Sequence, residues 1–348
     1  MTTVPSLTRH YEQFLDLLTR PGGTRGPGPE GPAGPLARYG ERADARGTAR
    51  PVALTREAWI SHQIDLALAL GRLLTEDDVV VSAVPYELSF LGAAVDRAVE
   101  LTGASVISTG TSGTICPLPR LLGLIEQYEV TALVCSPGFA AHLAGVAVAL
   151  GERPRASTVR TVVCVGEAAS PERLQRVGAA WGAARTAAVH GTPSTPVVAV
   201  PCEAGALHVC ARLRAEVPGG PRGELHLDGA PAGELAELHP AGEACGCDAA
   251  SPVLVPLGST ATALPGPDGA PVTAVDVERV VFREPSLAPH FACEVLDGAF
   301  RVTCAVDDPE QTPADALRAR LRNRIRDALG VGAEVTITGP KEWSTARS

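Results

Sequence analysis

Val162-Val-Cys-Val-Gly-Glu167, Ser170-Pro-Glu172, Thr186-Ala-Ala-Val-His190-Gly191 and Cys202-Glu-Ala-Gly-Ala-Leu-His208 follow one another within a single stretch of the chain. An apolar run ending in Gly166-Glu167 has the texture of a buried parallel strand that runs out into a loop. Ser170, Pro171 and Glu172 supply an N-cap, a first-turn proline and an early acid, so a helix follows. A second short apolar run ends at His190-Gly191. Two neighbouring strands whose carboxyl ends carry polar residues are where an open α/β sheet places a ligand. The strand ends at Glu167 and His190 are therefore the expected pocket.

The same strand–helix alternation extends toward the N-terminus. A helix is expected from Thr55 to about Leu74 with Ile60, Ile64 and Leu68 on one face. Strands are expected at Asp78–Ser82, Ala104–Ser108 and Ala132–Cys135, and helices at Leu91–Leu101, Leu118–Tyr128 and Gly138–Leu150. Residues 5–20 suggest a short amphipathic helix, and the Gly/Pro/Arg-rich stretch from Pro21 to Arg50 suggests a mobile loop. Beyond Cys202, Leu207-His-Val, Gly223-Glu-Leu-His-Leu and Gly233-Glu-Leu-Ala-Glu-Leu predict a small antiparallel sheet. Pro265-Gly-Pro-Asp-Gly predicts a turn. The tail predicts a helix at Val275–Phe282, strands at His290–Val295 and Phe300–Ala305, a helix at Pro313–Leu329 and a strand at Glu334–Ile337. Leu317, Leu321, Ile325 and Leu329 form one stripe at i, i+4 spacing, and the layout fits a ferredoxin-like βαββαβ unit. The fold class is α/β: a parallel-sheet domain with a small β subdomain, followed by a small α+β domain. The units expected are residues 1–50, 51–264 and 265–348.

Composition narrows the function. Of 348 residues, 45% are hydrophobic and the net charge is −9. With no basic block, a nucleic-acid partner is not expected. No apolar run reaches the roughly 20 residues of a membrane span, and the N-terminus lacks the regions of a signal peptide, which predicts a cytoplasmic protein. Lys341 is the single lysine, and Ala, Gly, Pro and Arg abound; this is the codon bias of a GC-rich genome. Nine cysteines in such a chain are read first as metal ligands or core residues rather than disulfides.

Several segments, taken together, resemble the phenylacetate–CoA ligase branch of the adenylate-forming superfamily. Gly103-Ala-Ser-Val-Ile107 is similar to a strand of that branch, and Leu133-Val-Cys-Ser-Pro-Gly-Phe-Ala-Ala-His-Leu-Ala144 to a strand–helix junction. Cys202-Glu-Ala-Gly-Ala-Leu-His208 is similar to its Cys-Glu…Gly-Leu-His segment, and Val272–Pro289 to a helix followed by a Leu-Ala-Pro-His turn. The resemblance implies the fold of enzymes that adenylate an aryl or fatty carboxylate with Mg-ATP and pass the acyl group to coenzyme A. It also implies a possible homodimer.

The motifs that carry that chemistry depart from the family pattern. The phosphate loop falls at Asp44-Ala-Arg-Gly-Thr-Ala-Arg50-Pro51, with few glycines and hydroxyls to offer N–H groups to phosphate. Thr48 and Arg50 are its remaining candidate contacts, Arg50 standing in for a lysine. The Tyr-Gly-x-Thr/Ser-Glu segment becomes His190-Gly-Thr-Pro-Ser194, so Gly191 is kept and the magnesium-holding glutamate is not. The ribose-binding acid falls at Glu234. The hinge motif has no counterpart between Ser259 and Asp268, and Lys341 comes too early for the family's C-terminal lysine. These losses predict weak or absent adenylation, which puts ATP/Mg and coenzyme A in question as cofactors. Ser108-Thr-Gly-Thr-Ser-Gly-Thr114 imitates a phosphate loop in composition, but its position reads as a glycine turn before a helix.

Within the resemblance, Cys202, His208, Cys245 and Cys247 correspond to a closed zinc site, which would be structural. Cys210 is an alternative fourth ligand, and a set of reduced cysteines with a surface histidine is the plain alternative. Cys116, Cys135, Cys164, Cys293 and Cys304 read as core. His190 is a candidate general base or a histidine hydrogen-bonded at a strand end; Glu167 faces substrate or is a solvated loop acid. Three functions remain: a ligase-like protein of specialised metabolism acting on a small aryl or acyl substrate or its thioester, the latter free or on a carrier protein, by transferase- or cyclase-like chemistry; a ligase with an atypical ATP site; or a non-catalytic partner.

Overall fold

Strand β6 (Thr161–Val165) and strand β7 (Arg185–Thr192), with helix α5 (Pro171–Trp181) between them, form the centre of an eleven-stranded sheet. The computed structural model describes residues 35–43, 49–192, 194–308 and 311–339. On one side of β6 lie β5 (Ala132–Cys135), β3 (Val79–Ala83) and the edge strand β4 (Ser105–Ser108), all parallel. Beyond β7 the sheet turns antiparallel through β8 (Thr195–Pro201), β9 (Leu207–Val209), β13 (Val253–Ser259), β12 (Ala230–His239), β11 (Arg222–Leu227) and β10 (Ala215–Glu216). The antiparallel strands expected as a separate small sheet thus continue the main one.

The continuous apolar runs of β3, β5 and β6 are buried because helices cover both faces. Helices α1 (Arg56–Leu70) and α2 (Leu91–Leu101) pack through Leu66, Leu70, Val95 and Val99 against Val80, Val134 and Val163. Helices α3 (Leu118–Gln127), α4 (Pro137–Ala149) and α5 cover the opposite face through Leu121, Leu143 and Trp181 against Leu133, Val162 and Cys164. Ser136 and Ser170 cap α4 and α5 by accepting from the Phe139 and Arg173 N–H groups, each with proline at the first helical position.

Two expectations near the N-terminus need correction. Strands β1 (Leu36–Ala43) and β2 (Ala49–Thr55) form an antiparallel hairpin where a mobile loop was expected. Gly40 lets this hairpin approach the core closely, since a Cβ there would lie 2.5 Å from the Leu88 carbonyl, and the Glu41 N–H donates to that carbonyl at 2.9 Å. The Arg38 guanidinium also stacks 4.5 Å over the Trp59 ring. Helix α1 buries Trp59, His62, Gln63 and Leu66, so its inward face is rotated from the expected stripe; Ile64 and Leu68 face outward. The expected helix at residues 5–20 lies outside the described residues.

A short hairpin of β14 (Leu264–Pro265) and β15 (Pro271–Val272) leads into the C-terminal unit. Helix α6 (Ala274–Val281) begins with a capping box between Thr273 and Asp276. Strands β16 (Leu287–Leu296) and β17 (Ala299–Val306) pair antiparallel, and helix α7 (Ala314–Leu329) carries the chain to β18 (Ala333–Thr338). The order is αββαβ. The first strand of the expected ferredoxin-like repeat is missing from this sheet, so β18 pairs directly and in parallel with β17. Leu317, Leu321 and Ile325 of α7 are buried in this unit's core with Val277, Val281, Phe300 and Val302. No helix among the described residues is long and apolar enough to cross a membrane.

Candidate functional site

The carboxyl ends of β3, β5, β6 and β7 open into a cleft of 1240 Å³ with Val84, Phe90, Leu91, Phe139, Val165 and Val189 on its apolar walls. Glu41, Glu167 and Glu234 also line it. A smaller cleft of 350 Å³ adjoins it, sharing Gly166, Glu167, Arg173, Gly191 and Glu234 and adding His190, Leu257, Glu278 and Phe291. The sequence-predicted residues Glu167, His190, Gly191 and Glu234 therefore stand together at the strand ends. Arg50 lies on β2, whose backbone pairs with Arg42; its side chain and Thr48 lie outside the described residues, as does Lys341.

Glu167 follows Gly166, which has φ of +77° and turns the chain out of β6. Its carboxylate accepts from the Arg173 guanidinium at 2.8 Å and from the Gly138 N–H at 3.2 Å, tying the β6 loop to the start of α4. Arg173 is itself 2% exposed and donates from the same nitrogen to Glu278 of α6 at 2.8 Å. Glu278 also accepts from the Ser170 N–H at 2.7 Å. Burial works against the charge of Arg173, but Glu278 and Glu167 outweigh it and hold its pKa above the ordinary arginine value.

His190 occupies β7 opposite Ala199 of β8. It is 6% exposed, and its Nε2 lies 2.9 Å from Oε2 of Glu234. The two atoms are close but not aligned, and neither makes a hydrogen bond to the protein. Glu234 reaches this position from β12, where it pairs with Ser259 of β13. Gly191 is required by sterics: a Cβ there would sit 2.1 Å from the Pro196 carbonyl, where the β7–β8 hairpin doubles back.

Arg173 and Glu278 were not singled out from sequence. The helix start at Ser170 was legible, but the partner of Arg173 lies 105 residues away, and no local pattern announces such a pair. His142 of α4 also lines the larger cleft. Thr111, Ser112, Gly113 and Thr114 of the decoy loop also line that cleft; Gly110 and Gly113 both adopt positive φ, as a glycine turn needs. Burial pushes the Cys164 thiol up to about 12, which suits a core residue and not a nucleophile. Cys135 and Cys304 are likewise buried, whereas Cys116 and Cys293 are only partly so, and Cys293 lines the smaller cleft.

A second constellation sits away from the clefts. Cys202 follows β8, His208 lies on β9, and Cys245 and Cys247 lie in the β12–β13 connection. Their ligand atoms all fall within 4.8 Å of one another, a grouping that could hold a metal ion. The Cys202 and Cys245 sulfurs are 3.4 Å apart, and Cys247 Sγ is 3.2 Å from His208 Nε2. His208 Nδ1 lies 2.8 Å from the Ser251 carbonyl, the contact that leaves Nε2 as the ligating nitrogen. Cys210, the alternative fourth ligand, is not in this group; its side chain packs in the core with Leu70 and Val197.

No protein-family model matches the chain, and no curated protein matches it. Solved structures do. 2-Hydroxyisobutyryl-CoA ligase in its postadenylation state, bound to 2-HIB-AMP, superposes with a TM-score of 0.71 at 16% identity, over 88% of this chain and 70% of the ligase. The chain has the adenylate-forming ligase fold. The anthranilate-CoA ligase AuaEII, in complex with anthranoyl-AMP, matches with a TM-score of 0.60 at 15% identity, over 87% of this chain and 63% of its own. The amide bond synthetase McbA from Marinactinospora thermotolerans matches with a TM-score of 0.59 at 19% identity, over 96% and 75%. The same 2-hydroxyisobutyryl-CoA ligase in its thioesterification state gives a TM-score of only 0.55. The chain thus follows the adenylate-forming fold through both the large sheet and the C-terminal unit.

Proposed function

We propose that this chain handles an aryl or acyl group delivered as a thioester in the larger cleft, with ATP-dependent activation lost or weakened. The observation that carries the reading is the charge balance of the clefts. Among the described lining residues Arg173 is the one guanidinium, and its charge is shared between Glu167 and Glu278. A polyphosphate entering there meets Glu41, Glu167 and Glu234 with no uncommitted cation among them, and Coulomb repulsion in a half-dry cleft opposes it. A thioester presents a neutral carbonyl and an apolar body, which the walls suit. Motif resemblance favours the phenylacetate–CoA ligase branch and an aryl substrate, carried on coenzyme A or a carrier protein. His190, beside Glu234, is the candidate general base.

ATP–pyrophosphate exchange with a panel of aryl acids tests this reading. No exchange is expected, together with turnover of an aryl thioester that is lost in His190→Asn. Exchange at rates typical of ligases would establish the alternative, an active ligase that uses Arg50 and Glu234. Absence of both exchange and thioester turnover would leave a non-catalytic partner.

Cys202, His208, Cys245 and Cys247 form a structural zinc site in this proposal. Three thiolates and an imidazole are a zinc donor set, and four protein ligands leave no open position for catalysis. The ion would fasten the long β12–β13 connection to β8 and β9.

A further inference from the structure

The smaller cleft contains two buried polar atoms that make no aligned hydrogen bond in the chain. Glu234 Oε2 and His190 Nε2 line it 2.9 Å apart, out of line with each other and with no hydrogen-bond partner in the chain. Buried polar atoms left this way are costly, and each calls for a partner from outside. A carboxylate has no proton to give, and a neutral imidazole accepts at its unprotonated nitrogen. A phosphate or a carboxylate ligand would therefore add acceptors to acceptors. A primary amine can meet both atoms at once, donating N–H to Glu234 and, at Nε2, donating to the bare nitrogen or accepting from its N–H. The charge around it agrees, because Glu167 lines the same cleft and the Arg173 charge is already taken by Glu167 and Glu278. Leu257, Val275 and Phe291 line the rest of the wall together with Ser259, Thr262 and Glu278.

We propose that the smaller cleft binds a small primary amine, its nitrogen held by Glu234 and His190. A charge-assisted bond to Glu234 would supply most of the selectivity. In combination with the proposed function, on which this step alone rests, the amine is the acyl acceptor. The free amine nitrogen attacks the thioester carbonyl carbon in the adjoining cleft. A C–N bond forms and the C–S bond breaks. The N–H proton passes to His190 Nε2 and from there to the departing thiolate, so an amide and a thiol are the products.

Calorimetric titration of the full chain with 2-phenylethylamine, phenylacetate and 2-phenylethanol tests the binding directly. The amine is expected to bind more tightly than the alcohol, and the acid not to bind. Glu234→Gln should weaken amine binding about ten-fold, while Glu224→Gln, at an exposed position of β11, should leave it unchanged. His190→Asn provides a second probe should Glu234→Gln fold poorly. Phenylacetate or phenylethanol binding as tightly as the amine to the unmodified chain, no amine binding at millimolar concentration, or unchanged binding in Glu234→Gln would each overturn the proposal. A parallel titration with phenylacetyl-CoA separates the two ideas. Thioester binding without amine binding removes this inference and keeps the proposed function; amine binding without thioester binding does the reverse.

Discussion

Arg173 shows how one side chain can tie a binding cleft to the packing beneath it. Its guanidinium is buried, yet it remains charged because Glu167 and Glu278 face it. Deleting it leaves Glu278, 3% exposed at its side chain, as an uncompensated buried carboxylate. Breaking a buried pair in this way costs about 3–5 kcal/mol. Arg173→Ala should lose stability on that scale in urea unfolding, whereas Arg173→Ala combined with Glu278→Leu should recover part of it. Equal losses in the single and double variants would show that the pair is not coupled. The sequence could not disclose this pair, because each partner looks like an ordinary helix-surface residue until the C-terminal unit is packed on α5. The positions of Glu167 and His190 were legible by contrast, since they stand at strand ends that the apolar pattern marks, and Glu234 was pointed to through the resemblance.

At the scale of elements, apolar periodicity located the parallel strands and most helices nearly to the residue. It failed where polar contacts set the packing. Helix α1 is held by its buried face: His62 Nδ1 contacts the Arg212 guanidinium, which also donates to Asp65 and to the Val197 carbonyl. Hydrophobic spacing cannot foresee that a histidine points inward. Burial and Arg212 pull the His62 pKa down from 6.5 to about 3. On β16, burial, then His142 and Arg173, pull His290 down from 6.5 to about 4. Both imidazoles are neutral in the folded chain and protonate in the unfolded one, so their stabilising effect is complete above pH 6.5 and is lost as pH falls below it. The slope between pH 6 and pH 4 should approach 1.4 kcal/mol per pH unit for each histidine, or about 2.7 together. Urea midpoints measured across that range should fall accordingly, and His290→Gln should remove about half of the slope; an unchanged slope would contradict the assignment. The metal-ligand loops belong to this scale too. Purified protein should carry one zinc per chain by elemental analysis. Cys247→Ser should abolish it and expose the β12–β13 connection to limited proteolysis, with the clefts intact. A metal-free chain that resists proteolysis equally well would show the cluster to be four reduced side chains in proximity.

At the scale of the whole molecule, the C-terminal unit is joined to the large sheet by a small apolar cluster and by arginines. The core of the C-terminal unit is drawn from residues between Leu264 and Val335, and the apolar cluster recorded across the junction is small, Val275 packing with Leu235 and Leu257. Four arginines add polar attachments. Arg173 holds Glu278; Arg176 donates to the carbonyls of Phe282, Glu284, Pro285 and Leu287; Arg222 donates to Asp276 and to the Pro271 carbonyl; Arg279 donates to Glu237. Their strength sets the cooperativity of unfolding. Coupling free energy across the junction makes two cores melt together, and without it each melts at its own midpoint. Scanning calorimetry of the full chain should give a single transition. In Arg176→Ala/Arg222→Ala it should split in two, because the C-terminal core keeps all of its apolar contacts while losing most of its polar attachment. A single transition that merely moves to lower temperature would mean that the packing of α6 and β16 against α4 and α5, and not the arginines, carries the coupling.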